Sequence, residues 1–239
     1  MSLRQKDLTE IEYPETDGQP MAETDLHRDL MAELIAELKR FFEHDPRVYV
    51  SGNLLLYYVE GNPRKSVSPD VFVVRGVGNH RRRIYKLWEE GQAPEVVIEI
   101  SSGSTWSEDL QRKWRLYEDL GVKEYFIFDP EYDYLQKEPL LGYRLEEGQF
   151  VKLEVPAGRV RSEVLGLELV DTDETLRLFD PQTGEFLRTS TETERALHAE
   201  TEARQRAEAR VRAETEACRH AEEEAVRLRE ELTRLRSQS

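Results

Sequence analysis

A chain of 239 residues with 38% hydrophobic and 35% charged side chains can hold one substantial domain, but part of it must lie in solvent without building a core. Its net charge of −15 argues against tight non-specific binding to duplex DNA, while leaving room for a local basic groove. A single cysteine, Cys218, excludes an internal disulfide framework and a cysteine-based zinc site, and no run approaches the ~20 apolar residues of a bilayer span.

Residues 1–17 are polar and acidic, unlike a secretory signal, so a reducing, cytoplasmic setting without a membrane partner is expected. Residues 1–23 read as an arm broken by Pro14, Asp17-Gly18 and Pro20. Thr24 or Asp25 then offers a helix N-cap. Leu26, Leu30, Leu34, Leu38 and Phe41/Phe42 recur at helical spacing to about residue 43, and Asp45-Pro46 stops the pattern. Strands are expected over 47–51, 54–60 and 71–74, the second turning at Gly61-Asn62-Pro63. Residues 76–94 read as a loop with one helical turn. Val96-Val97-Ile98-Glu99-Ile100 is the strongest strand signal, nearly continuously apolar as in a strand covered on both faces. A polar turn at 101–104 follows, and Thr105 with Glu108 fits a capping box for a helix over 107–120, closed by Gly121. Residues 122–129 form another buried strand, and weaker ones are expected at 143–145, 150–153, 167–170 and 175–179.

A strand–helix–strand unit over 96–129 implies a parallel pair with a right-handed crossover, and the three-strand meander before it implies an antiparallel part. The expected class is therefore α/β, a mixed sheet flanked by helices over 24–188. Residues 189–239 differ sharply. From about Thr191 there is no Gly, Pro or aromatic residue, and Ala, Glu and Arg favour helix. Residues 190–239 hold 12 Glu and 10 Arg, so nearly all the net negative charge sits on the remainder. The positions from Leu197 through Val211, Cys218, Ala221, Ala225, Leu228 and Leu232 to Leu235 step by alternating three and four. That is a heptad seam, apolar from Cys218 onward, and a helical tail pairing the chain into a homo-oligomer, a dimer, is expected.

Metal-assisted phosphodiester hydrolysis needs two carboxylates a few ångströms apart, one at the start of a strand and one on its neighbour, with a cation nearby. Ser68-Pro69-Asp70 opens one strand, and Glu99 sits inside the apolar run of another. An ionised carboxylate in a buried strand is costly unless compensated; the plainer alternative puts Glu99 at an exposed strand tip. On the following helix, Leu110, Trp114, Tyr117 and Leu120 form the apolar stripe, and Lys113 lies on its edge. Its ammonium either turns back to the acids, within about 4–6 Å of one of them, or pairs with Asp109 and snorkels to water.

Ser68-Pro69-Asp70-Val71, the run from Pro94 to Thr105 containing Val96-Val97-Ile98-Glu99-Ile100, then Asp109-x-x-x-Lys113, Tyr117 and the run Gly121 to Pro130 together resemble the Uma family, endonuclease-like proteins of the restriction-endonuclease-like PD-(D/E)XK superfamily. The resemblance covers roughly residues 10–180. It implies the mixed α/β nuclease core, Mg²⁺ (or Mn²⁺) as cofactor, DNA as partner, and Asp70 and Glu99 as the metal-binding acids. The lysine of the superfamily's E-x-K would fall at Ser101, and the resemblance makes Lys113 its replacement. The expected function is a metal-dependent endonuclease with Asp70, Glu99 and Lys113 catalytic. The alternative is a non-catalytic scaffold that acts by pairing through its C-terminal helix.

Other residues read as structural. His27 opens a helix, with an acid/base role as the alternative. Glu33 and Glu37 lie beside the helix's apolar stripe, where exposure is expected; the resemblance leaves a first-helix acid reaching the metal as the alternative. His80-Arg81-Arg82-Arg83, with Arg64, Lys65 and Lys86, reads as a solvated loop, with a phosphate-facing groove as the alternative. Cys218 reads as a small seam residue.

Overall fold

The computed structural model describes residues 11–16, 24–101, 109–135 and 137–236. The expected turn after Ser101, the capping box at Thr105 and Glu108, and most of the N-terminal arm lie outside the described residues. The chain divides into two compact units, Met1–Thr189 and Ser190–Ser239.

The first unit runs α1 (Asp25–Phe41), β1 (Val48–Ser51), β2 (Leu56–Tyr57), β3 (Ser66–Val67), β4 (Val71–Arg75), β5 (Tyr85–Lys86), α2 (Leu87–Glu90) and β6 (Val96–Ile100). A helical segment follows, π-wound over Asp109–Lys113 and α-helical over Trp114–Asp119. Then come β7 (Glu124–Phe128), β8 (Leu140–Glu146), β9 (Gln149–Lys152), β10 (Arg159–Arg161), β11 (Glu168–Asp171), β12 (Leu176–Asp180) and β13 (Glu185–Phe186).

The main sheet has the order β1-β4-β6-β7-β8-β9. Only its β6–β7 pair is parallel, the rest being antiparallel. This is the mixed α/β arrangement the strand–helix–strand unit implied. The strand expected over 54–60 is shorter and elsewhere: β2 leaves the main sheet and pairs with β3 and β5 in a separate three-stranded sheet. The reason lies at Gly52 and Asn53. A Cβ on Gly52 would sit 1.9 Å from the Asp70 carbonyl oxygen, so the chain passes there only without a side chain. Asn53 then takes a left-handed φ of 47°, which ends β1 and turns the chain away. The 159–186 region, expected to hold two strands, forms a four-stranded antiparallel sheet in the order β10-β11-β12-β13.

Two apolar cores cover the two faces of the main sheet. On one, α1 lays Leu30, Leu34 and Leu38 against Val71, Val73, Ile98 and Ile100, with Leu169 and Leu178 of the second sheet joining them. On the other, Phe72, Val97, Tyr125 and Ile127 pack with Tyr117. All five residues of β6 are buried, as a strand covered on both faces requires. Glu37 departs from the expected exposure: only 2% is accessible, and Arg177 of β12 stands 4.0 Å from it. The second sheet, which the sequence left largely irregular, covers that side of α1.

The second unit is one helix, Ser190–Arg236, of 47 residues. That is about 70 Å at ~1.5 Å per residue. Glu–Arg pairs four apart, Glu202 with Arg206 and Arg204 with Glu208, line it. Leu197, Val211, Leu228 and Leu232 are exposed in the single chain. Among the described residues no helix is long and apolar enough to cross a membrane.

Candidate active site

The register of the main sheet builds the site. β4 and β6 run antiparallel with Val71 opposite Ile98. One step further along the pair, Asp70 comes beside Glu99, which is why 29 positions separate two residues that meet. The Asp70 N–H donates to Glu99 Oε2 at 3.3 Å. Strand alternation turns Ile98 and Ile100 toward α1 and places Val97 and Glu99 under the 109–119 helix.

Glu99 is fully buried. The exposed strand tip is thus excluded, and burial demands compensation. Two side chains of the covering helix supply it. Tyr117 donates its hydroxyl to Glu99 Oε1 at 2.6 Å, and the Lys113 ammonium lies 3.0 Å from Oε2. Lys113 is 12% exposed, so the ammonium is turned inward instead of snorkelling to water. It stands at the end of the π-wound turn, where the wider winding shifts the side-chain register of the helix. Burial pushes the Tyr117 hydroxyl well above its ordinary pKa, and the Glu99 carboxylate adds to the shift, so Tyr117 stays a donor.

Asp70 is held at both oxygens. Oδ2 accepts from the Ile100 N–H at 2.8 Å, and Oδ1 lies 3.3 Å from His27 Nε2. Burial would raise the Asp70 pKa. The His27 hydrogen bond, the Lys113 charge, the His27 charge and the Ile100 N–H together outweigh it and hold Asp70 below the usual carboxylate range.

The structure therefore brings Asp70, Glu99 and Lys113 together and adds two residues that the sequence placed outside the site. Tyr117 was read as part of an apolar stripe. His27 reads in sequence as a structural residue at a helix start, with an acid/base role as the alternative. It does open α1, with Thr24 capping its N–H at 3.2 Å, but that first turn faces Asp70. A histidine on an otherwise apolar face was the available signal. Ser101, at the position of the superfamily lysine, is buried with a hydroxyl that finds no partner among the described residues.

Arg82 departs from the solvated loop expected of the basic run, whereas His80, Arg81 and Arg83 are exposed as expected. Arg82 makes a fork to Glu90, at 2.6 and 2.8 Å, and its guanidinium lies 4.2 Å from the Tyr49 ring centre. Arg83 pairs with Glu15 and Lys86 with Glu89. These charges fasten the loop and the 11–16 segment.

A family model described as "Putative restriction endonuclease", Uma2, matches residues 2–178. The chain belongs to the Uma2 family. The Uma2 match spans the whole main sheet and both elements that carry the acids. No curated protein matches the chain. A solved structure with some likeness is described as a putative nuclease belonging to DUF820 from Anabaena variabilis. It is 15% identical, with a TM-score of 0.45, over 60% of this chain and 75% of that one. At that score the likeness carries no weight, and the Uma2 assignment rests on the family model.

Tyr117 gives a test of the local electrostatics. Tyr117→Phe keeps the ring and removes one donor from a buried carboxylate. It should cost about 1.5–3 kcal/mol, the scale of a hydrogen bond to a charged group. Urea unfolding should show the midpoint falling with an unchanged slope. An unchanged midpoint would mean that Glu99 does not depend on this bond.

Proposed function

We propose that the chain is a metal-dependent endonuclease that hydrolyses DNA phosphodiester bonds at Asp70 and Glu99. The observation that carries this reading is a fully buried Glu99 adjoining Asp70 and gripped by Lys113. An ion pair this deep is often no more stabilising than an apolar pair of equal volume. Stability alone therefore gives it little reason to exist, whereas phosphate chemistry does.

The donor set fits Mg²⁺ or Mn²⁺, because both acids offer hard carboxylate oxygens with lone pairs beyond those already engaged. Among the described residues no group of three or more His, Cys, Asp or Glu could hold an ion, so Asp70 and Glu99 would supply two ligands and water the rest. Such an ion, when bound, lowers the pKa of a water and offsets charge developing on the phosphate. The protein's own groups do the positioning. His27 and the Ile100 N–H fix the Asp70 carboxylate, and Tyr117 fixes Glu99. Lys113 pairs with Glu99 and presents a cation where phosphate charge grows.

The test is nicking of supercoiled plasmid with Mg²⁺ or Mn²⁺. Wild type should nick and then linearise the plasmid, and EDTA should stop it. A folded protein that cleaves with neither ion would leave the fold as a scaffold.

We also propose that the C-terminal helix pairs two copies of the chain. Leu228 and Leu232 are exposed in the single chain and continue the seam from Cys218, Ala221 and Ala225. Cutting the chain after residue 190 should lower the number of chains per particle, read by light scattering, without unfolding the α/β domain. An unchanged number of chains would mean that any oligomer forms through that domain, or that the tail is a lone helix.

A further inference from the structure

We propose that a groove between the β2–β3 hairpin and the 109–119 helix binds an unpaired stretch of DNA and leads it to Asp70 and Glu99. This rests on the nuclease reading above. The groove encloses about 950 Å³. Tyr58, Trp114 and Tyr143 give it aromatic walls, and Lys65, Arg112 and Arg115 give it cations. Asp119 is the one acid among the lining residues.

Three observations favour a nucleic-acid strand as its occupant. The first is charge. Many cations of the first unit are matched to acids, Arg82 to Glu90, Lys123 to Glu95, Arg144 to Glu124 and Arg159 to Glu168, and exposed ones that are not, such as Lys39, Arg47 and Arg81, do not line this groove. Lys65 and Arg115 are exposed and make no ion pair among the described residues. In a chain of net charge −15, unmatched cations that converge on one groove form a local positive field.

The second is connection. Both walls are continuous with the segments that carry the acid site. Lys65 lies on the hairpin that runs through β3 to Asp70, and Arg112 directly precedes Lys113. Five extended residues span at most ~18 Å, which bounds the separation of Lys65 and Asp70. The inner face of the helix grips Glu99 while its other face lines the groove.

The third is the aromatic lining, which selects an unpaired strand over a duplex. Bases exposed in a single strand stack on aromatic rings whatever their sequence, while spaced cations track the phosphates. Duplex DNA carries a charge every ~1.7 Å and favours a broad basic face.

The test is fluorescence anisotropy in EDTA with the full chain and a labelled oligothymidylate of about 20 nucleotides, longer than a typical single-strand site. Wild type should bind it and prefer it to duplex of equal length. Lys65→Ala/Arg115→Ala should weaken binding and lower the slope of log K against log salt by about 1.4, two contacts at ~0.7 each. Lys39→Ala/Arg47→Ala, the same charge change on exposed residues elsewhere, should leave the slope unchanged. An abasic strand should bind less tightly, because the rings have nothing to stack on. Equal slopes in wild type and Lys65→Ala/Arg115→Ala, or a preference for duplex, would overturn the groove. Because binding is read without metal, this result stands apart from cleavage. A protein that binds the strand but, given Mg²⁺ or Mn²⁺, cleaves neither it nor plasmid refutes the nuclease reading alone.

Discussion

Replacing Lys113 with Met should cut metal-dependent cleavage of plasmid DNA by at least ~10²-fold, the scale of losing one electrostatic stabiliser. Met keeps much of the lysine stem's packing and deletes the charge that stands 3.0 Å from Glu99. The same substitution should destabilise the fold. Removing one partner of a buried pair costs about 3–5 kcal/mol when the other charge is stranded. Here the cost should fall at the lower end, because the Tyr117 hydroxyl and the Asp70 N–H still donate to Glu99. Millimolar Mg²⁺ should restore more stability to Lys113→Met than to wild type, since a cation at the acids replaces the missing ammonium. Cleavage equal to wild type in a stably folded Lys113→Met would reduce Lys113 to a structural counter-ion.

The site was legible in the sequence to the extent that it depends on strand pattern. The run 96–100 is apolar at every position but one, so Glu99 stood out as a charge where a strand buried on both faces should have none. Asp70 followed from its place at the mouth of a second strand. Lys113 followed from helical spacing after the first. His27 was not legible as a partner of Asp70, because α1 and β4 meet through tertiary packing that no local spacing encodes. Glu37 was misplaced for a related cause: the sheet that covers it is built of strands as short as the two residues of β13, and its three-residue β10 holds a single buried valine. β2 was misjudged because Leu54 to Glu60 is apolar enough for a longer strand. What shortens it is the passage of Gly52 against the Asp70 backbone, a contact between segments nearly twenty residues apart. Arg82 shows the converse, since a run of charge reads as solvent-facing until Tyr49 and Glu90 come into view.

Mg²⁺ or Mn²⁺ should raise the melting temperature of the wild-type chain, and Asp70→Asn or Glu99→Gln should abolish the rise together with cleavage. The argument is mass action: an ion that binds the folded acids and not the unfolded chain stabilises by about 2.7 kcal/mol at a hundredfold excess over its dissociation constant. For a domain of this size that is about 5–10 °C. Neither variant should unfold the protein. Asp70→Asn keeps an oxygen to accept from the Ile100 N–H, which donates at 2.8 Å in the native chain. Glu99→Gln keeps an oxygen for Tyr117 but turns an amide toward Lys113, so it should be the less stable of the two. Because Asp70 is held below the usual carboxylate range, the metal-dependent rise should persist at mildly acidic pH, and fade only as pH falls through the lowered value and the carboxylate protonates. An equal rise in wild type, Asp70→Asn and Glu99→Gln would place the ion elsewhere and remove the basis for metal-dependent chemistry at this pair.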